Sequence, residues 1–591
     1  MARRGVSGDH GATTGNGRLT ASPNGYLGGN GERGALASGH GSAPRVTRRK
    51  TERRLAALAA AVSREDGRKW LRRLAVAIGD PGRHGRRLEA CLAKCVAHAE
   101  ASTGIDRWLM TEGVAWGIAV ATRLRRSHDP REYPLHAAFE EAVGPARDAL
   151  AGGDVGAARC LLVAGTLLAD VDAVRRLGDQ ARAAIEADIA RSTGDDGALL
   201  AGHGPSGSAR VARVASWADT RAAVDACGGQ AAWNRATETR FRSACRTALA
   251  LLGPQARCPG PDGRTGPALE SLVAAVAGQG RRARATVHRI QRGTKAGEER
   301  QAGRLLPREL TLADGCQAVI RSGWEADDLH VFVDWQRETP WLEVAVGRRL
   351  LVSGPWPLDV AIDGVAVAAD GPWRFSSCAP CRHGTFLEIA RSLAGGGELQ
   401  RQVVVLAADR VVLFGDAVVI PGAEGALTAE SRLSIAPTFS AAGNDETRER
   451  LLADGKPRAA LLPLALPEWT VAPAPGELAV VVGSADSGSV LRLRHAGSGG
   501  RLYAPLWIEG DRRRAAGPVT WRQLTVADTR RILGRHEAVG YRVQAGVEQW
   551  LVYRALDEPR NRTLLGCNVS CELVVGRIKP RGRVGRSIEI E

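Results

Sequence analysis

Gln317-Ala-Val-Ile-Arg-Ser322, Leu329-His-Val-Phe-Val-Asp334 and Trp341-Leu-Glu-Val-Ala-Val346 are the stretches on which the fold turns. Each is short, rich in β-branched and aromatic residues and separated from the next by polar, Gly or Pro residues, which marks strands. Upstream the pattern differs. Leu88, Cys91, Leu92, Cys95 and Val96 recur at i, i+3, i+4, i+7 and i+8, one face of a helix. The apolar period therefore changes from 3.6 to 2 near residue 311.

Working upstream from that change, the spacing predicts helices over Arg54–Ser63, Lys69–Ile78, Arg87–Ala101, Trp108–Leu124, Leu135–Ala151, Gly156–Leu168, Val171–Arg191 and Arg240–Leu252. Short breaks such as Gly79-Asp-Pro-Gly82 and Gly152-Gly153 make neighbours antiparallel. Downstream, Val403–Leu406 and Val411–Val419 read as a hairpin. Glu477–Val482, Val490–His495, Tyr541–Val543, Gln549–Tyr553 and Cys571–Val575 read as further strands. With no helical crossovers between them, these predict antiparallel sheets packed as a sandwich. Gly354-Pro-Trp356 and Gly371-Pro-Trp373 read as two turns between strands. The expected fold class is α+β multidomain. It comprises a disordered basic tail (1–50), a helical domain (51–280), a basic linker (281–310) and an antiparallel β-sandwich domain (311–591).

Of 591 residues, 44% are hydrophobic and 25% charged, ordinary globular usage that excludes a wholly disordered chain or a small disulfide scaffold. The formal net charge is +17. Residues 1–50, 281–310 and 575–591 carry fifteen of those charges, so the folded remainder is nearly neutral. Such segments are either a footprint for an acidic polymer or solvated tails and a linker. No run of apolar residues is long enough to span a membrane, and the first thirty residues lack an apolar signal-peptide core. Eleven scattered cysteines fit a reducing compartment, so a cytoplasmic location is expected.

Chemistry-bearing motifs are few. No Walker loop, dinucleotide glycine fingerprint, HExxH or GxSxG is present, so no cofactor is expected. Cys378-Ala-Pro-Cys381, followed by His383, has the residue types of a zinc half-site. It lacks a second ligand pair, and two buried free thiols at a strand-to-loop junction is the plainer reading; no bound metal is expected. Tyr133, with His136 three residues later, is the one tyrosine in the helical half, and reads as a cleft residue or as a loop aromatic. His330 and Asp334 share a sheet face, which permits a His–Asp pair or two polar groups on a solvated face.

The helical-then-β order, with Gln317–Trp324, Leu329–Asp334 and Glu343-Val-Ala-Val-Gly-Arg-Arg-Leu-Leu-Val352, resembles heparinase II/III-type polysaccharide lyases. More specifically, three segments are similar to heparinase-like proteins of planctomycete-type bacteria: Gly354–Gly364, Arg401–Arg410, and Gln549–Arg554 through Asn561–Gly566 to Ile588–Glu591. That resemblance implies an α/α toroid packed on β sheets and β-elimination at an acidic sugar, with Tyr and His as acid and base. The family places a His-rich loop between the opening β strands, whereas Trp335-Gln-Arg-Glu-Thr-Pro-Trp341 has no His. The segment Asp195–Gly204, similar to a cleft segment that can carry Glu and Tyr, offers only His203.

Three functions follow as expectations. The first is a degenerate scaffold that binds acidic polysaccharide, with weak or no lyase activity. The second is an active lyase using relocated groups, His203, Tyr133, His136 or His383, with Trp116, Arg321 and Trp324 as substrate contacts. The third is a basic protein associated with nucleic acid.

Overall fold

The computed structural model describes residues 47–79, 81–124, 134–194, 207–228, 232–261, 269–278, 281, 285, 306–325, 327–482 and 488–591. The basic tail up to residue 46 and most of the 281–310 segment lie outside them.

The helical half contains α1 (Arg48–Ala61), α2 (Glu65–Gly79), α3 (Pro81–Glu100), α4 (Gly104–Leu124), α5 (Pro134–Ala151), α6 (Val155–Leu167), α7 (Asp172–Ser192), α8 (Gly207–Cys227), α9 (Arg235–Leu251) and α10 (Leu269–Ala277). Most consecutive helices pack on one another, and α4, α6, α8 and α10 also pack on one another in turn. That second set forms an inner layer covered by α3, α5, α7 and α9. Sequence accounts for the division. Helix α6 is apolar and small all round, and eleven of its residues are buried. On α7 only the stripe Val174, Gly178, Ala181, Ile185, Ile189 and Ser192 is buried. The two helices cross where Gly165 meets Gly178, and a β-carbon at Gly165 would lie 2.6 Å from the Gly178 Cα. Any larger residue there would force the pair apart.

The β half begins with β1 (Glu309–Leu312), β2 (Gln317–Arg321), β3 (Leu329–Asp334), β4 (Trp341–Val346) and β5 (Arg349–Pro355). These strands join β12 (Leu427–Ile435), β17 (Ser489–Gly497) and β16 (Gly476–Val482) in the first antiparallel sheet. A second sheet contains β8 (Ala369–Pro380), β9 (Gly384–Leu393), β10 (Gly397–Leu406), β11 (Val411–Val419), β18 (Arg501–Glu509) and β15 (Pro457–Pro463). A third, of five strands, includes β19 (Val519–Leu524), β20 (Ala538–Ala545), β21 (Glu548–Ala555), β24 (Leu573–Ile578) and β25 (Val584–Ile590).

The second sheet is the middle layer. One face interdigitates with the first sheet through Val403, Val405, Val412 and Phe414. The other packs on the third sheet through Val404, Leu413, Trp507 and Trp550. Burial on both faces explains the apolar runs Val403–Leu406 of β10 and Val411–Phe414 of β11, in which every position is buried. Across these two strands Arg401 pairs with Asp416 at 2.8 Å, fully enclosed, with its guanidinium 3.6 Å from the Trp356 ring.

The Gly371-Pro-Trp373 motif corrects one expectation. It lies inside β8 at a register shift against β9, with Gly371 at φ +87°, so it is a bulge and not a turn between strands.

Candidate functional site

The outer face of the first sheet docks on the helical half, where Leu312, Val319 and Phe332 enter the helical core. Polar contacts at this joint are specific. Arg257, just beyond α9, gives both Nη groups to Glu343 on β4, at 2.8 and 3.1 Å. Glu343 is 2% exposed and also accepts from the Gly260 amide at 2.9 Å and the Trp341 indole at 3.2 Å. Arg210 on α8 donates to the Gly315 carbonyl and to Gln317 Oε1, and Gln317 in turn donates to Asp334 at 2.7 Å.

Arg321 ends β2 beneath α9. Its Nη2 donates to the carbonyls of Ala250 and Leu252 at 2.6 and 2.7 Å, which caps the C-terminal end of that helix. Burial pushes its pKa down to about 9, so it still carries charge at neutral pH. The guanidinium carbon lies 4.6 Å from the centre of the Trp324 ring. His330 is the cross-strand partner of Arg321 and is buried. Neither of its ring nitrogens has a hydrogen-bond partner in the structure. Burial, then the Arg321 and Arg257 charges, hold its pKa well below the ordinary imidazole value.

The His330–Asp334 pair does not form, and neither residue is on a solvated face. Asp334 is 2% exposed and accepts from Gln317 and from the Gln336 amide. Burial pushes its pKa up, partly opposed by those hydrogen bonds. Alternation alone marks a strand's two faces and does not say which of them meets another domain.

A second polar array crosses the inner helices. Glu112 on α4, 1% exposed, accepts from Arg54 on α1 at 2.8 Å and from Arg159 on α6 at 3.1 Å. Arg159 reaches Asp219 on α8 at 3.7 Å, and Asp219 accepts from Ser271 on α10 at 2.6 Å. Burial raises the Glu112 pKa, but Arg159 and Arg54 outweigh it, so the carboxyl stays below its usual range.

The predicted site residues fall out as follows. Tyr133 and His203 lie outside the described residues, as does the side chain of His136, whose backbone is in α5. His383 is exposed on the turn between β8 and β9. The structure brings Arg321 and Trp324 together, but Arg321 is buried and spends its Nη2 on the α9 carbonyls, so as a helix cap it presents no face to a substrate. Trp116 sits one helical turn from Glu112 and is wholly enclosed, 0% exposed, because α4 belongs to the inner layer; it has no face for a substrate. Cys378 is half-buried and accepts from the Thr311 hydroxyl, while Cys381 is exposed and donates to the Ser587 carbonyl, so the pair is not two buried thiols. Among the described residues no cluster of three or more His, Cys, Asp or Glu has a metal-holding arrangement, and no helix is long and apolar enough to cross a membrane.

The Arg257–Glu343 pair, 86 positions apart, has no local sequence signal. The Glu112 array offers one: a Glu inside the largely apolar stretch 109–120 of α4, which demands a buried partner.

With this geometry in hand, likeness to known proteins is confined to fold. The heparan sulfate lyase HepC from Pedobacter heparinus superposes with TM-score 0.55 and 11% identity, covering 88% of this chain and 91% of that one. A heparinase III gives TM-score 0.56 and 10% identity over 87% and 91%. Another heparinase III gives 0.51 and 11% over 82% of each. No protein-family model matches the chain, and no curated protein does. The architecture is the heparinase III fold, a helical toroid followed by a β-sandwich.

Proposed function

We propose that this chain binds an acidic polysaccharide where the helical half meets the first sheet, and that its lyase activity is weak or absent. The observation that carries the reading is the state of His330. Among the described residues it is the imidazole at the joint, and it is buried between two guanidinia, neutral and out of reach of a substrate proton. Proton abstraction beside a carboxylate needs an accessible base, whereas holding an anionic chain needs cations. Arg321, enclosed beneath α9, backs the half-buried Trp324 ring, and that ring supports a sugar contact at the joint. The heparinase III fold over most of the chain supports a polysaccharide as the ligand class. An active lyase remains the second reading, resting on His203, Tyr133, His136 or His383. The heparinase III likeness does not favour the nucleic-acid reading.

The same proposal sets domain limits at 51–280 and 311–591, with 1–50 as a basic tail and 281–310 as a basic linker. Eleven unpaired thiols, among them exposed Cys381, support a reducing cytoplasm. Retention on an immobilised heparan-type polymer, released as salt rises, is the expected result, because exposed charge pairing is screened. Failure to bind that matrix at low salt would reject the reading.

A further inference from the structure

A cavity of about 470 Å³ opens where the three sheets meet. Its walls are the end of β17, the turn into β18, and the β19–β20 region of the third sheet. His495, Arg501, Tyr503, Arg535, His536 and Tyr541 line it, and no acidic side chain does. The volume is that of a small-ligand site.

Several features mark it as built for an anion. His495 is 5% exposed, and its Nδ1 has no hydrogen-bond partner. The Tyr503 ring forms part of the wall, with its buried hydroxyl turned against Gly415 of β11. Arg501 and Arg535 form no ion pair among the described residues, although most arginines around them do. His536 is folded against the β17–β18 turn in space that two glycines leave. A β-carbon at Gly499 would lie 3.0 Å from its Cγ, and one at Gly534 2.5 Å from its Cε1. Arg535 is close enough to His495 to hold its pKa down, after burial, to about 4. The imidazole is thus neutral at physiological pH and supplies a hydrogen bond without competing for the anion's charge balance. Ser498 and Gln523 add neutral polar groups at the rim.

We propose that this cavity is a second carbohydrate site, which takes one acidic sugar unit by its carboxylate or sulfate between Arg501 and Arg535. The oxyanion rests on the cavity alone. The sugar rests on the acidic-polysaccharide reading above.

Calorimetric titration of the full chain with glucuronate, N-acetylglucosamine 6-sulfate, inorganic sulfate and neutral N-acetylglucosamine tests it. Saturable binding of at least one acidic sugar is expected, with none for the neutral one. Arg535→Gln, at an exposed position with no ion pair among the described residues, is expected to weaken that binding roughly tenfold or more, as loss of a charge-assisted contact does. Arg501→Gln should do the same. Absence of acidic-sugar binding, or binding unchanged in both variants, would overturn the proposal. Inorganic sulfate binding as tightly as the sugars would overturn the sugar assignment. If the variants still adhere to a polymer column, a negative titration rejects the cavity and spares the cleft.

Discussion

Glu343 on β4 accepts both Nη groups of Arg257, at 2.8 and 3.1 Å, and this forked pair ties the helical half to the first sheet. With Glu343 almost wholly buried, removing its charge takes away the carboxylate that the Arg257 fork grips at the joint. Glu343→Gln is expected to cost about 3–5 kcal/mol, the usual penalty for breaking a buried pair from one side. Urea unfolding checks it. A loss below about 1 kcal/mol, as exposed pairs give, would mean that the joint does not depend on this contact.

Glu112 should make the helical half acid-labile. Its folded pKa lies below the unfolded value, despite burial, because Arg159 and Arg54 favour the carboxylate. The unfolded chain therefore takes up the proton first. The stabilisation is complete above the unfolded carboxyl pKa of about 4.3 and fades as pH falls through the lower folded value. Glu112→Gln should flatten that acid limb while lowering stability at pH 7. An unchanged acid limb in the variant would contradict it.

His495 acts at higher pH. Its folded pKa, about 4, lies below an unfolded value of about 6.5 because burial, then Arg535, oppose the charged ring. Stability falls as pH drops below about 6.5, and the loss levels off below the folded pKa. The full effect is roughly 3 kcal/mol. In His495→Gln this loss between neutral and mildly acidic pH should shrink. Equal losses in both proteins would show that the ring is not held neutral in the fold.

The proposed domain limits predict where a protease cuts. Brief digestion should open the chain first within 1–50 and 281–310, which the proposed limits leave between or before the two folded halves. Early cuts spread evenly over 320–590 would contradict the limits.

How much of this was legible in the sequence depended on the range of the interactions. The β10–β11 hairpin is readable because Ala407-Ala-Asp-Arg410 supplies a turn between two apolar runs, and Arg410 does adopt φ +53° there. Helix α8 is harder, because Val211, Val214, Trp217, Ala218 and Val224 alternate with small residues that suit either a helix or a loop. Strands β8 and β9 are obscured by the bulge at Gly371, which breaks the period of two. The sites fared worse for a physical reason. His330 and Arg321 are local strand neighbours, yet what buries them is α9, some seventy positions upstream. His495, Arg501, Tyr541 and Arg535 come together only because β17, β18 and β20 belong to three different sheets. Periodicity records which face of an element is apolar, and not which other element arrives to cover it.

The most direct measurement of the central claim is ultraviolet absorbance of the purified chain incubated with heparan-type, alginate-type and other uronate polymers. β-Elimination creates an absorbing double bond. Without a placed base, general acid–base assistance worth about 10²–10⁴-fold is missing, and lost electrostatic stabilisation costs a further ~10²–10³. The account predicts no rise above a protein-free control on any polymer, with salt-sensitive binding retained. Steady turnover on one of them, abolished by His203→Ala or Tyr133→Phe, would contradict it and establish an active lyase with a relocated site.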